Sequence, residues 1–237
     1  MIYPPLASLG LFGDAFQFVF SGREAETGGV TVGGTSQVLD LAAKQLEVTV
    51  LALGVAILLA LPIGLVLGHY GRGEFLAVSA GNAGRAIPEL ALIALMAAAI
   101  GVGLVNLVVA LAILGIPPIL TNAYVGIKQV DRASVEAARG MGMTEAGIIR
   151  GVEVPLAVPT IMGGVRTAAI NIIATATIAP LAGILTLGDF IISRNVYGDA
   201  GVLAGAVLVA LMALAMEGAL AGLQWAMTSK GLKLNRS

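Results

Sequence analysis

A polar interruption of about thirty residues, at about residues 128–159, lies between two long apolar stretches of this sequence. Within it, Ser134 is a candidate helix N-cap, Val135 begins a run of mostly good helix formers, and Gly140 and Gly142 end that run. The pattern predicts a short helix across the end of the apolar segments, suited to docking into a groove on another protein. Its docking face would carry one charge and small residues: Glu136, Ala137 and Ala138.

Three polar side chains recur every four residues in the apolar segment that follows: Thr167, Asn171 and Thr175. Residues four apart lie on one face of a helix. That face could line a polar path across a membrane. Alternatively, its side chains could bond to other helices or to their own helix backbone, which contributes about 0.6 kcal/mol each. The sequence leaves the two interpretations evenly balanced.

Ionisable residues inside apolar segments form a third candidate group. Arg85 and Glu89 stand four residues apart around Pro88. Charges within a membrane are costly, so this pair could belong to a gate or pathway. The alternative, which the position around Pro88 favours, is a neutralised pair that fixes a kinked helix entry near the interface. Glu217 is expected to join a polar pair or a packing contact, and His69 is expected to lie at the membrane interface.

The composition defines the class of protein that must position these residues. Hydrophobic residues make up 58% and charged residues 11% of the 237-residue chain, against about 45–50% and about 25% in soluble domains. With a mean hydropathy of +0.97, the chain is predicted to be an all-α integral membrane protein. A net charge of −1 argues against nucleic acid as a partner. The absence of cysteine and the single histidine argue against a metal centre.

Five apolar segments are long enough to cross a membrane. A long uncharged stretch is divided into two spans at Gly101-Val-Gly103, because glycines favour a break there. The predicted spans are residues 46–68, 77–100, 104–124, 159–181 and 202–226.

The N-terminal region before these spans is predicted to form a separate segment, residues 1–45. Residues 8–20 are apolar and aromatic but too short to cross comfortably, so an interfacial helix is expected, with a sixth crossing as the alternative. Residues 40–47 are expected to form a second surface elbow. The permease domain then covers residues 46–228, and a basic tail follows at 229–237.

The basic residues indicate an orientation in the membrane. Placing the 128–159 loop in the cytoplasm puts eight basic residues inside and three outside, which predicts an external N-terminus and a cytoplasmic C-terminus. The inside group is Arg72, Lys128, Arg132, Arg139, Arg150, Lys230, Lys233 and Arg236, and the outside group is Arg23, Lys44 and Arg194.

The polar loop also carries a spacing found in a known family. It resembles the EAA loop of ABC-transporter permeases at Glu136, Ala137, Ala138, Gly142, Val152, Val154 and Pro155. The segments Arg85-Ala-Ile-Pro-Glu, Gly115-Ile-Pro-Pro, Gly163-Gly-Val-Arg and Leu187-Gly-Asp-Phe extend the likeness. Together, over about residues 40–228, the chain resembles permeases of the glycine betaine, choline, carnitine and proline importers.

This resemblance implies a type I importer permease of about five transmembrane helices, like those of methionine importers, in a prokaryotic cell membrane. It implies partner ATPase subunits, a second permease subunit and an extracytoplasmic solute-binding protein. ATP and Mg would be bound by the ATPase, and this chain would bind no cofactor and catalyse no reaction. The implied ATPase-coupling residues are Ser134, Glu136, Ala137, Ala138, Gly140, Met141, Gly142, Val152 and Pro155. The candidate path residues are the charged pair and the polar helix face described above: Arg85, Glu89, Thr167, Asn171 and Thr175.

Glycine-rich segments of this sequence lack the Gly-Lys-Ser/Thr ending of a phosphate-binding loop, so ATP hydrolysis is expected on another chain. Two other classes of protein remain open. A stand-alone secondary transporter would need ion-coupling groups and commonly shows inverted repeats, and no internal repeat is evident. A membrane scaffold or sensor would use the polar loop to bind a soluble regulator, but it leaves the polar helix face without a purpose.

Overall fold

The computed structural model describes residues 5–75, 79 and 86–228. Four of the helices in this part of the chain are long and apolar enough to cross a membrane: Gly34–Tyr70, Leu104–Lys128, Glu145–Ala182 and Arg194–Met227. The predicted all-α class is confirmed, with the addition of one small antiparallel hairpin near the N-terminus. The second predicted span, residues 77–100, lies partly outside the described residues, and its described part is helical from Glu89 to Ile100.

The described elements begin with a helix and a small hairpin and then continue as helices. In chain order they are α1 (Pro5–Phe20), β1 (Gly22–Glu24), β2 (Thr31–Gly33), α2 (Gly34–Tyr70), α3 (Glu89–Ile100), α4 (Leu104–Lys128), α5 (Arg132–Gly140), α6 (Glu145–Ile148), a π-helical turn (Ile149–Glu153), α7 (Val154–Thr175), a 3-10 helix (Ala176–Ala182), α8 (Gly188–Ile192) and α9 (Arg194–Met227).

Helix α2 begins at Gly34, so the prediction of a separate surface elbow at residues 40–47 is wrong. Val38, Leu41, Gln45 and Val48 are all buried. Their spacing of three and four residues is that of one helix face. This buried face continues into the membrane-spanning part of the helix, so a single 37-residue helix forms instead of an elbow and a span.

The predicted break between the second and third spans is confirmed. Helix α3 ends at Ile100 and α4 begins at Leu104. Gly101 and Gly103 between them have φ values of +86° and +137°, which favour glycine because it has no Cβ. The chain therefore leaves the helical conformation where the two glycines stand.

The chain forms two compact units. Unit 1 comprises Met1–Leu51, Leu90–Ala110 and Ile173–Leu214, and unit 2 comprises Ala52–Glu89, Leu111–Ile172 and Ala215–Ser237. In unit 1 an aromatic cluster ties the N-terminal helix to the following elements. Phe18, Phe190 and Tyr197 are buried, and Phe18 meets each of the other two rings edge to face, with centroids 5.1 and 6.2 Å away. A helix over residues 8–20 is confirmed, whereas its interfacial position stays a prediction.

Unit 2 is built on close contacts between α2, α4 and α7. A Cβ at Gly64 would lie 2.6 Å from the Cβ of Ala123, and one at Gly68 would lie 2.8 Å from the Cβ of Ile127. On the other side of α4, a Cβ at Gly164 of α7 would lie 2.6 Å from the main-chain oxygen of Pro118. Small residues thus let α4 approach both neighbours closely, as is common in membrane helix bundles. Helix α4 is the common packing partner of α2 and α7 in this unit.

Candidate coupling loop and polar helix face

The loop helix α5 is capped at its N-terminus by Asp131, so the prediction that Ser134 is the N-cap is wrong. The Asp131 carboxylate accepts hydrogen bonds from the backbone N–H groups of Ala133 and Ser134, at 3.3 and 3.1 Å, and from the Ser134 hydroxyl at 2.9 Å. These bonds hold the pKa of the Asp131 carboxyl below its usual value. The sequence alone does not separate Asp131 from Ser134, because both satisfy the preference for a short polar side chain at the N-cap.

Gly142 ends the loop helix in a Schellman motif. The N–H of Gly142 donates to the carbonyl of Arg139 at 3.0 Å, and the N–H of Met143 donates to the carbonyl of Ala138 at 3.2 Å. This pattern requires a left-handed residue after the helix, and Gly142 has a φ of +84°. The predicted end of the helix is therefore confirmed, with α5 ending at Gly140 and Gly142 making the turn.

The two faces of α5 have different surroundings. Val135 and Ala138 are buried in a cluster with residues of α2, α4 and α7, so Ala138 does not belong to the predicted docking face. Glu136 and Ala137 are exposed, and Met141 is 77% exposed. One face of α5 is thus anchored to unit 2, and the other presents a charge, a small residue and an adaptable apolar side chain.

Ser134 is exposed and lines a groove of about 370 Å³ at the N-terminus of α5. Asp131 shares this groove with residues at the end of α4 and the start of α7, namely Gly126, Gln129, Val130, Leu156 and Thr160. Gly140 is exposed, and a Cβ there would meet nothing within 4 Å. Both residues are therefore accessible from outside the chain, as the docking prediction requires.

A π-helical turn connects the loop to the membrane helix α7. Thr144 caps α6, accepting from the N–H of Gly147 at 3.2 Å, and the chain then widens into the turn Ile149–Glu153. Pro155 follows at the second residue of α7. Proline has no N–H to donate and its ring clashes with the carbonyl four residues earlier, so a widened turn just before it relieves both problems. Val152 and Pro155 are half-buried at this junction.

His69, expected to be an interfacial side chain, is instead buried at the centre of a four-residue network in unit 2. Its Nδ1 lies 2.7 Å from Oε2 of Glu153, and its Nε2 lies 2.9 Å from Oε2 of Glu145. Arg139 at the end of α5 donates to both carboxylate oxygens of Glu145, each at 2.9 Å. The network joins the last turn of α2 to the first residue of α6, Glu145, and to the last residue of the π-helical turn, Glu153.

Sequence reasoning missed this network for a physical reason. The contacts link residue 69 to residues 145 and 153, and periodicity within one helix says nothing about contacts at that separation. One signal was available. A glutamate in an apolar Val-Glu-Val-Pro segment next to a membrane helix needs a partner, because an isolated buried charge is costly.

The predicted polar face of α7 is only partly formed. Thr167 and Asn171 are exposed on this chain, with Ile170 between them, whereas Thr175 is buried. Of the three side chains, Thr175 is therefore the one that is not accessible on this chain. A step of four residues overshoots one helical turn by about 40°, so two steps rotate the side chain by about 80°. The chain also tightens into the 3-10 helix directly after Thr175.

The two accessible polar residues of α7 differ in their hydrogen bonding. The Thr167 hydroxyl donates to the carbonyl of Gly163, four residues earlier, at 3.0 Å. Asn171 makes no hydrogen bond to any other described residue. Thr167 is thus satisfied within its own helix, and Asn171 needs a partner from outside this chain or water.

Two charges within the apolar helices α7 and α9 are paired with each other. Arg166 of α7 donates to Glu217 of α9 and, at 3.0 Å, to Oε1 of Gln224. The expectation that Glu217 joins a polar pair is confirmed. Glu89 is exposed at the first residue of α3, while Arg85 lies outside the described residues. Across residues 5–75, 79 and 86–228, no group of three or more His, Cys, Asp or Glu side chains is placed to hold a metal ion.

Long apolar helices interrupted by a capped, partly exposed loop helix fit a membrane transport subunit. Residues 56–227 match the family described as the binding-protein-dependent transport system inner membrane component. The chain belongs to this family, so it is a membrane-embedded permease, the translocation subunit of an ABC importer.

Curated relatives agree with this assignment, and a solved structure matches the fold. The glycine betaine/carnitine/choline transport system permease protein OpuCB of Bacillus subtilis is 37% identical over 80% of this chain and 88% of its own length. The carnitine transport permease protein OpuCB of Listeria monocytogenes is 34% identical over 79% of this chain and 86% of its own. An inward-facing structure of the MetNI methionine ABC transporter matches the fold with a TM-score of 0.70 and 21% identity, covering 82% of this chain and 98% of that one.

Proposed function

We propose that this permease imports a small compatible solute of the glycine betaine, choline, carnitine or proline type. The observation that carries the proposal is the 37% identity to a permease named for glycine betaine, carnitine and choline, over 88% of that protein's length. A quaternary ammonium is usually recognised by an aromatic cage, and this chain has one Trp and four Tyr. High-affinity selection is therefore assigned to an extracytoplasmic solute-binding protein, and this chain supplies the path.

Energy for import comes from ATP bound with Mg on separate ATPase subunits that dock on α5, and this chain binds no cofactor and has no catalytic residue. The exposed Glu136, Ala137, Gly140 and Met141 support docking on this face. The opposite face of α5 is anchored by the buried Val135 and Ala138. A displacement of α5 is therefore transmitted to the rest of unit 2. Along the chain, the motion passes through Pro155 and Pro159 into α7.

The translocation path runs along the accessible face of α7 and is completed by a second permease subunit, identical or paralogous. Asn171 supports this because an amide without a partner in lipid costs several kcal/mol. Thr167 shares its exposed face. Thr175, being buried, would contribute only after a rearrangement, and Arg85 and Glu89 remain candidates for a gate at the start of the second span.

Reconstituted transport tests the function directly. The permease, co-purified with its partner ATPase and placed in vesicles with the binding protein, is expected to accumulate at least one radiolabelled probe among glycine betaine, choline, carnitine and proline. Accumulation should need ATP on the ATPase side and the binding protein on the other side. Uptake driven by an ion gradient without ATP would instead identify a secondary transporter, and ATPase-independent binding of a soluble regulator would identify a scaffold.

The proposed orientation places α5 in the cytoplasm and the N-terminus outside, in the cell membrane of a prokaryote. Single cysteines report this cleanly because the chain has no native cysteine. Thr144→Cys should react with an impermeant thiol reagent only from the cytoplasm, and Asn195→Cys only from outside; both positions are exposed. Tyr3→Cys decides the course of α1. External labelling there supports five spans, whereas cytoplasmic labelling would make residues 8–20 a sixth crossing.

A further inference from the structure

We infer that His69 is a positioning residue through which the 128–159 loop moves α2. This link acts in addition to the transmission of motion along the chain from the loop into α7. The inference rests on the proposed function, because it names a second path by which a push on α5 reaches a membrane helix. This path runs through side chains: from Arg139 in the last turn of α5 to Glu145, and from Glu145 to His69 in the last turn of α2. Glu153 forms the second contact of His69 with the loop.

The hydrogen-bonding geometry makes this a strong link. Both ring nitrogens of His69 face carboxylate oxygens, at 2.7 and 2.9 Å. A neutral imidazole has only one N–H, so one of these contacts would set two acceptors against each other. The network therefore holds one more proton, on the ring or on a carboxyl. Counted with Arg139, its net charge is then zero, and both contacts of His69 are charge-assisted hydrogen bonds when the proton is on the ring.

Burial makes the same link costly to break. The side chains of His69 and Glu153 are each only 2% exposed. Separating them would leave a buried ionisable group without its partner, which is strongly unfavourable. The ion pair between Glu145 and Arg139 is easier to separate, since these side chains are 44% and 52% exposed. The loop is thus held firmly to α2 at Glu153 and more adjustably at Glu145.

The position of His69 gives the link a consequence for the membrane helices. It follows directly after Gly68, where α2 touches α4 with no room for a Cβ. A displacement of His69 by the loop must therefore move residues 52–70 of α2 together with the part of α4 packed on them. Pushing at Pro155 alone would act on α7, whereas the His69 link acts on α2 at the same time.

Spin labels can separate the two routes. One label is placed at Ile63 on α2 and another at Ile170 on α7, each as a single cysteine, since both side chains are exposed and the chain has no native cysteine. The complete complex with its ATPase is studied in nanodiscs, and the label mobility is compared without nucleotide and with ATP plus vanadate. ATP-driven uptake is measured in parallel on the wild-type complex.

In the wild type, nucleotide should change the mobility of both labels. In His69→Ala, the change at Ile63 should shrink by at least about threefold while the change at Ile170 persists, because only the α2 route is cut. His69→Gln keeps the size of the side chain and one hydrogen bond, so it should give an intermediate response and serves if the alanine variant does not assemble. Lys44→Ala is the matched control, because it removes an exposed ion pair of the same helix away from the loop.

Three results would overturn the inference: an unchanged response at Ile63 in both His69 variants, equal loss at Ile63 and Ile170, or no response at Ile63 in a wild-type complex that imports solute. Equal loss would make His69 a general structural residue. Failure of the proposed function is distinguishable from all three, because it would appear as a wild-type complex without ATP-driven uptake of any probe.

Discussion

Reversing the charge of Glu136 is expected to uncouple transport from ATP hydrolysis. Glu136 is exposed on α5, outside the cluster that anchors the helix. Glu136→Lys should therefore leave the chain inserted and assembled, while solute uptake falls at least about tenfold, the scale of a typical coupling energy between sites. Uptake and ATPase stimulation by the loaded binding protein are measured on the same vesicles. Glu136→Gln removes the charge but keeps the shape of the side chain, and it should reduce solute uptake less than Glu136→Lys.

A bulky residue at Gly142 should produce the same defect through backbone geometry. Gly142→Leu forces a leucine into the left-handed conformation at a φ of +84°, which costs about 1–2 kcal/mol. The Schellman turn that sets the end of α5 would then be distorted. Gly183→Leu is a matched control, because Gly183 has a φ of +78° and equally open space around its Cβ, but lies far along the chain from the loop. Gly183→Leu should therefore introduce the same backbone strain without uncoupling transport from ATP hydrolysis.

These outcomes bear on the family-based interpretation of the loop. Unchanged uptake in both Glu136→Lys and Gly142→Leu would contradict ATPase docking at α5. Equal uptake defects in Gly142→Leu and Gly183→Leu would attribute the effect to general destabilisation. A loss of ATPase stimulation together with uptake would place the defect at docking itself, while stimulated ATPase without uptake would place it in the transmission to the membrane helices.

Much of this fold follows from local patterns in the sequence. Hydrophobic length predicts the spans, paired glycines predict the break after Ile100, and the glycine at the end of the loop helix predicts its turn. In each case the deciding interaction is local, within a few residues. Local rules also account for the errors: two short polar residues compete for the N-cap of α5, and the side chain closer to the helix start, Asp131, makes the bonds.

The remaining features depend on contacts between distant parts of the chain. The extension of α2 back to Gly34 depends on a buried face whose packing partners come from elsewhere in the chain. The environment of His69 depends on two carboxylates more than 70 residues away. Neither is encoded in a short window. The resemblance to known permeases predicts the loop and its spacing. The buried His69 is not one of the residues of that motif.

Asn171 offers the sharpest test of the translocation path. Its side chain is exposed on α7 and has no partner among the described residues. Asn171→Leu is expected to leave the melting temperature of the solubilised complex nearly unchanged and to slow solute uptake by about tenfold, equivalent to about 1.4 kcal/mol in the barrier. ATPase stimulation by the loaded binding protein should persist. Ile170→Leu is the control, since it alters the adjacent exposed position without changing polarity.

Alternatively, Asn171 forms a hydrogen bond to the second permease subunit. The reactivity of a cysteine at this position distinguishes a path residue from a subunit contact. In a path, a cysteine at position 171 should react with a small hydrophilic thiol reagent, and its rate should change with solute or nucleotide. In a subunit contact, that cysteine should be inert in every state. Asn171→Leu should then lower the melting temperature by about 2–4 °C for each kcal/mol lost. An inert cysteine with such a drop would contradict the path, because a residue that water reaches during transport cannot stay sealed between helices in every state.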